Sequence, residues 1–324
     1  MTRKRFIFLL TGLILLVAII ALLTIPKSNE IRIGIFQIAD HPALDNLRTG
    51  FKETIENSEW ARGKVLVFDY KNANGDGNKV ETIAAYFANS TCKVVYTIGT
   101  SCAQALKRQN ANMHIILGAA TDPVSSNLIT SWNRPGGVIT GTTDLPPVEK
   151  QLSFLHQLLP AARRIGIIYN TGEDNSVAAV SQFRSIAAQQ GLVVIERSVA
   201  TPAEIATAVA SLFGKVDVIY APPDNTVQSG FVALHRGATD ARIPVFNCDL
   251  DSVKKGALFS VGVNYHDIGI VSGNMALEVL NGQDPSIMAI RGGTPHLYLN
   301  EKVALEFKVN LPERIRSEAK GIVN

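Results

Sequence analysis

The sequence predicts an α/β protein of two Rossmann-like lobes with parallel sheets, preceded by a hydrophobic N-terminal helix. Three observations predict it. Short apolar runs rich in β-branched residues alternate with segments of helical spacing, the pattern of βαβ units on a parallel sheet. The alternation passes along the chain twice, with a break near Pro146–Pro147. A chain of 324 residues can also form two domains, each with its own core.

The leader comes first. Phe6 to Ile25 reads FIFLLTGLILLVAIIALLTI, an uncharged run of about 20 residues, long enough to span a bilayer. MTRKR precedes it, and positive charge before the first apolar span favours keeping that end in the cytoplasm. The run exceeds the usual signal core of roughly 7–15 residues, and no A-x-A site follows it. The first cysteine is Cys92, so no lipid-attachment cysteine closes the leader. Residues 1–28 are therefore expected to be an uncleaved signal anchor, with a cleaved signal peptide as the alternative.

In the first round, IRIGIFQI is a strand, and ALDNLRTGFKETIEN is a helix with Leu44, Leu47, Phe51 and Ile55 on one face. KVLVFDY is a strand and NANGDGN a turn. KVETIAAYFAN is a helix, KVVYTIG a strand, SCAQALKRQN a helix, MHIILGA a strand and GVITG a short strand. The second round opens with the helix VEKQLSFLHQLL. RRIGIIYN, LVVIERS, VDVIYA and IPVFNC are its strands. NSVAAVSQFRSIAAQQ, PAEIATAVASLF and NTVQSGFVALHRGATD are the helices between them. Residues 29–145 are assigned to the first lobe and 146–262 to the second. GALFSVGV, HDIGIVSGNMALEVLNG, PHLYLN and a last short helix continue the alternation. Periodicity leaves their lobe open; part of 263–290 is assigned to the first lobe and part of 291–324 to the second.

Composition narrows the function. Lys and Arg total 31, of which Arg3, Lys4 and Arg5 are in the leader, leaving 28 against 28 acids. No basic stripe appears, which argues against nucleic acid. Cys92 and Cys102 flank KVVYTI, a span of roughly 20 Å as a strand, far beyond the ~7 Å limit of a disulfide. All three cysteines, Cys248 included, read as free thiols.

In open parallel sheets ligands bind beyond the carboxyl ends of the strands. IRIGIFQI ends at Phe36-Gln37 and leads into Asp40-His41-Pro42; VVYTIG leads into Thr100-Ser101-Cys102; IILGAA leads into Thr121-Asp122-Pro123. GIIYN leads into Glu173-Asp174-Asn175-Ser176, VIYAPP into Asp224-Asn225-Thr226, and VFNC into Asp249. Each polar group could simply cap a helix. Together they line both lobes with helix N-termini that suit an anion. The carboxylates Asp122, Asp224 and Asp249 suit an ammonium. That combination fits a zwitterion such as an amino acid better than a neutral sugar. Phe36 and Tyr169 end strands of different lobes, and Tyr265 follows GALFSVGV, so aromatic rings could sandwich a flat side chain.

Other chemistries have weaker support. Cys102 and Cys248 could form a two-thiol racemase-like site, but no His or acid adjoins Cys102 in sequence. The six histidines lack metal-ligand spacing, and NANGDGN lacks the spacing and final glutamate of a calcium loop. No nucleotide or hydrolase motif occurs, so neither cofactor nor metal is expected.

GIFQIADHPALDNLRTGFKE, YKNANGD, TIGTSCAQAL, AATDPVSSNL, GGVITGTTDL, RIGIIYNTGEDNSVAAV, KVDVIYAPPDNTV, PVFNCDLDSVKKGAL and YHDIGIVSGNMALEVLNG occur in this order. Together they resemble the ABC-transporter substrate-binding proteins that include tryptophan- and tyrosine-binding members. The resemblance runs from about Ile31 to the end. It implies a periplasmic-binding-protein fold of type I, with three crossover segments and a ligand cleft between the lobes. It implies ligand contacts at Gly99-Thr100-Ser101, Thr121-Asp122, Asn175-Ser176, Asp224-Asn225 and Asp249, and an ABC permease as partner. Relatives often have proline and alanine where this chain has Ser101-Cys102, and many are lipoproteins. The missing lipid cysteine leaves room for a membrane-tethered sensor.

Overall fold

The computed structural model describes residues 30–109 and 113–324. The leader expectation, anchor or signal, lies outside them. Among the described residues no helix is long and apolar enough to cross a membrane.

The first round folds as β1 (Glu30–Gln37), α1 (Pro42–Glu56), β2 (Val65–Asn72), α2 (Gly77–Ala88), β3 (Val94–Ile98), α3 (Thr100–Arg108), β4 (His114–Gly118) and β5 (Ile139–Thr143). The second begins α4 (Val148–Leu158), β6 (Arg164–Tyr169), α5 (Asp174–Gln189), β7 (Val193–Ser198) and α6 (Ile205–Ala210). It continues β8 (Val218–Ala221), α7 (Asn225–Ser229), α8 (Phe231–Asp240), β9 (Val245–Asn247) and β10 (Phe259–Gly262). The C-terminal part adds α9 (Tyr265–Leu280), β11 (Arg291–Gly292), β12 (His296–Asn300), α10 (Glu301–Glu306), α11 (Glu313–Glu318) and β13 (Ala319–Val323).

These strands form two sheets, in the orders β11-β5-β4-β3-β1-β2 and β13-β12-β10-β9-β8-β6-β7. Every pairing is parallel except β10 with β12. The reason lies in the strands: Val94 to Ile98 is buried throughout, as a strand covered by helices on both faces must be. The chain passes between the sheets three times: from β5 to α4, from β10 to α9, and from β11 to β12.

Each sheet carries its own core. In the first, Ile33, Ile35, Tyr96 and Leu117 meet Leu47, Phe51 and Phe87 from the helices, and Phe51 stacks on Tyr96 at 3.9 Å. In the second, Phe183, Tyr220, Phe246 and Phe259 stack in series at 4.3, 4.9 and 5.0 Å. Aromatic pairs add about 0.5–1.5 kcal/mol each beyond area burial.

One segment differs from the sequence reading. Asn225–Asp240 is not one helix: it breaks at Gly230, which lies so close to Ile205 and Pro202 that a Cβ would collide with the Ile205 side chain. Helical periodicity passes through such a break because the apolar face resumes beyond it. NANGDGN is a turn whose Asp76 also caps α2, accepting from the Asn78 N–H at 2.9 Å.

Helix α9 follows the second crossing yet packs along α1, adding Ile268, Met275 and Ala276 to the first core. The two backbones approach closely at glycines. A Cβ on Gly50 would strike the His266 carbonyl, and one on Gly269 the Leu47 carbonyl. Gly269→Val should therefore destabilise the protein by about 1–3 kcal/mol, the usual penalty of overpacking. Urea unfolding checks this: the midpoint should fall with an unchanged slope, and an unmoved midpoint refutes the close approach.

Candidate ligand-binding site

The carboxyl ends of both sheets face one seam. There a cavity is lined by His41, Leu44, Gly99, Thr100, Ala119 and Thr121 of the first lobe and Asn175, Pro223, Asp224, Asn225 and Gln228 of the second. Asp144 and Tyr265, which flank the first two crossings, complete it. The cavity is small, about 20 Å³. That is room for a water or two. The lobes also touch beside the cavity. Gln104 Nε2 donates to Asp174 Oδ2 at 2.7 Å, and Asn46 Nδ2 to Asp251 Oδ2 at 3.4 Å.

Local structure explains the walls. The chain turns from β3 into α3 at Gly99, whose φ of 106° favours glycine and where a Cβ would press on Ile38. No side chain caps α3, so its first turn, beginning at Thr100, meets the cavity with free N–H groups. His41 precedes α1 in extended conformation and makes no capping bond either.

Three buried polar atoms on this cavity have no hydrogen-bond partner in the protein: His41 Nε2, Thr100 Oγ1 and Asn175 Oδ1. An unsatisfied buried group costs about 1–3 kcal/mol, so a cluster of them at one place marks a binding surface. Burial lowers the His41 pKa to about 4, against the opposing pull of the Asn225 side chain, and so keeps the ring neutral.

Carboxylates supply the other polarity. Asp144 accepts from Thr121 Oγ1 at 2.8 Å and from the Tyr265 hydroxyl at 2.7 Å. Burial pushes it up to about 6 although both hydroxyls pull it down. Asp224 caps α7 through the Val227 N–H at 2.7 Å and accepts the Asn170 N–H at 2.6 Å. Burial, with the Glu173 charge beside it, raises its pKa. The buried Ser176 hydroxyl pulls the other way, less strongly.

Of the expected site residues, His41, Thr100, Thr121, Asn175, Asp224, Asn225 and Tyr265 thus line one cavity. The other expected site residues lie outside this cavity. Phe36 is wholly buried in the first core beside Phe87, with ring centres 5.9 Å apart. Tyr169 points toward the sheet edge and donates to Glu196 Oε2 at 2.9 Å, so these two rings form no sandwich. Gln37 is consumed within its lobe by Ala39, Asp45 and Arg48. Ser101 faces a wider groove outside the cavity, shared with Gln104, Glu173 and Thr201. Asp122 turns back on its own chain, accepting from the Val124 and Ser125 N–H groups at 3.1 and 3.0 Å. Asp249 caps the short helix Leu250–Lys255 through the Asp251 N–H. Burial pushes its pKa up to about 6.

Asp144 is the residue the sequence reading missed. It follows the short strand GVITGTT, so the same strand-end rule would have found it. The neighbouring Pro146–Pro147 pair marked that stretch as a boundary instead. Cys102 and Cys248 are free and buried, and burial pushes both thiols well above their ordinary range, away from the thiolate that racemase chemistry needs.

Two α/β lobes joined by three crossings, with a polar cavity in the seam, define a solute-binding protein. The chain belongs to the ABC transporter substrate-binding proteins, whose family model matches residues 32–323. The tyrosine-binding protein of Clostridioides difficile (strain R20291) is 36% identical over 257 residues, 79% of this chain and 74% of that protein. An ABC domain from Streptococcus pneumonia, solved in complex with L-Trp, is 31% identical and superimposes with a TM-score of 0.87 over 91% of this chain and 100% of that one. A substrate-binding protein with adhesive properties from Clostridium difficile, solved in its ligand-free, open form, is 33% identical. Its TM-score is 0.69 over 91% of this chain and 99% of that one.

Two outcomes follow from the geometry. Asp122→Ala should cost about 1 kcal/mol of stability, as a lost cap does, and leave ligand affinity unchanged. Calorimetric titration beside a melting curve checks both, and a drop in affinity would return Asp122 to the site. The second concerns pH. Asp144, Asp224 and Asp249 have folded pKa values raised above the ordinary value near 3.9. Between about pH 4 and 7 the folded state therefore holds protons that the unfolded chain releases, and stability falls as pH rises. His41, lowered to about 4, acts in the opposite sense between about pH 4 and 6.5. His235, also lowered by burial, acts in the same sense as His41. Three carboxylates outweigh two histidines, so the free protein should melt at a higher temperature at pH 5 than at pH 7.5. Scanning calorimetry showing the reverse order would mean that these carboxylates stay ionised in the fold.

Proposed function

We propose that this protein binds an amino acid with an aromatic side chain in the inter-lobe cavity, outside the cytoplasm, and hands it to an ABC permease. The observation that carries the reading is the convergence of His41 Nε2, Thr100 Oγ1 and Asn175 Oδ1 on one cavity with buried carboxylates. Donors at a helix N-terminus suit the ligand carboxylate, and aspartates suit its ammonium. A neutral sugar would leave the carboxylates without a counter-charge. Leu44, Pro223 and the Tyr265 ring offer apolar surface for the side chain.

The relatives support this reading. One binds tyrosine and another was solved with L-Trp. At nearly equal identity, the TM-score is higher against the L-Trp complex than against the open form. That contrast supports a closed arrangement of lobes here. An aromatic amino acid would then enter by parting the lobes, since the cavity holds only about 20 Å³. Closure over it would exclude water and strengthen its polar contacts.

The anchor belongs to the same proposal. Phe6 to Ile25 would hold the protein at the membrane surface after export. N-terminal sequencing of exported protein should then start before Ile25, and a start beyond it refutes the anchor.

Thermal-shift titration tests the ligand. L-Tryptophan or L-tyrosine at 100 times its dissociation constant should add about 2.7 kcal/mol of stability and raise the melting temperature by several degrees. A pentose or hexose that shifts the melt, undisplaced by either amino acid, would overturn the assignment.

A further inference from the structure

We propose that Asp144 is the receptor for the ammonium group of the ligand. The inference rests on the amino-acid reading and adds to it the residue that distinguishes an amine from an acid.

The aspartates at the seam differ in what already occupies them. Both oxygens of Asp224 are taken by main-chain donors, from Val227 and Asn170. Asp249 caps its own helix and does not line the cavity. Asp144 does line it, and its side-chain partners are two hydroxyls, of Thr121 and Tyr265. Main-chain donors are fixed in place, whereas hydroxyls rotate. An ionised carboxylate has about four acceptor positions, so two hydroxyls leave room for a third donor.

The charge is also uncompensated. Among the described residues that line the cavity there is no lysine or arginine, and its one histidine, His41, is kept neutral by burial. A buried carboxylate without a cation is costly, and a ligand that brings the cation relieves the cost. A second observation on the same cavity points to a ligand. Thr100 Oγ1 and His41 Nε2 are buried without a hydrogen-bond partner, on residues that line it. They lie beside the uncapped first turn of α3, which suits a carboxylate. The site therefore has two poles. The first-lobe wall takes the ligand carboxylate, and Asp144, between β5 and α4, takes the ammonium. The Tyr265 hydroxyl joins that aspartate to the start of α9, so the ammonium would sit where two crossings meet.

The test uses the full chain and four probes: L-tryptophan, L-tyrosine, tryptamine, which lacks the carboxylate, and indole-3-propionate, which lacks the amine. In wild type, tryptamine should bind and indole-3-propionate should bind far more weakly than tryptophan. Asp144→Asn should weaken tryptophan, tyrosine and tryptamine alike by about ten- to hundredfold, the worth of one charge-assisted bond. It should not weaken indole-3-propionate, nor lower the melting temperature of the free protein, because it removes an unpaired buried charge. Unchanged amine affinity in the variant overturns the proposal. So does equal binding of indole-3-propionate and tryptophan to wild type, which needs no variant to fold. If neither amino acid binds but tryptamine binds through Asp144, the amino-acid reading falls and this assignment stands. If no amine binds, both fall.

Discussion

The structure depends on one property of parallel sheets: all strands end on the same edge. Each crossover helix returns along the back of its sheet, so the next strand delivers its carboxyl end beside the last one. Loops and helix N-termini therefore collect on a single rim. This chain makes two such rims and turns them toward each other. The polar cavity follows from that arrangement. It needs only that the three crossings be short enough to hold the rims face to face. The glycine seam between α1 and α9 secures the second crossing by seating its helix firmly on the first lobe.

The cavity is polar without being balanced. Elsewhere the structure pairs its charges: Arg164 with Asp217, Arg291 with Glu278 and Arg184 with Glu196 are all ion pairs within 3 Å. At the seam the pattern changes to carboxylates without cations, a neutral histidine and unpartnered hydroxyl and amide atoms. Each feature alone would be a small strain on folding. Unpartnered atoms occur elsewhere too, on Tyr96 and Tyr220 for example, but at the seam they stand beside buried carboxylates, and a ligand with both polarities would complete them.

The contacts that join the lobes are of a kind that can open. Gln104 with Asp174 and Asn46 with Asp251 are single side-chain bonds at or near solvent, where such bonds contribute little. The deeper link, Tyr265 to Asp144, lies where two crossings meet. A rigid core in each lobe, weak contacts at the rim and a polar joint at the base allow the lobes to move as bodies.

Much of this was legible in the chain. Alternating apolar runs determined the strands, their parallel pairing and the division into two lobes, because burial on both faces demands continuous apolar strands. The strand-end rule found six residues of the cavity, from His41 to Asn225, and the search for aromatic rings near a crossing added Tyr265. It could not say which way a side chain turns. Asp122 and Asp249 follow strands as Asp224 does, but one folds back on its own loop and one caps a helix away from the cavity. Phe36 ends a strand, yet the pleat turns its ring into the core. The break at Gly230 came from a neighbour distant in sequence, Ile205. The sequence by itself determined which elements form and on which edge their polar ends gather, because those follow from local periodicity and chain direction. The tertiary structure alone decided which of those ends share a cavity and that Asp144 faces it without a cation, because both depend on how three crossings bring distant segments together.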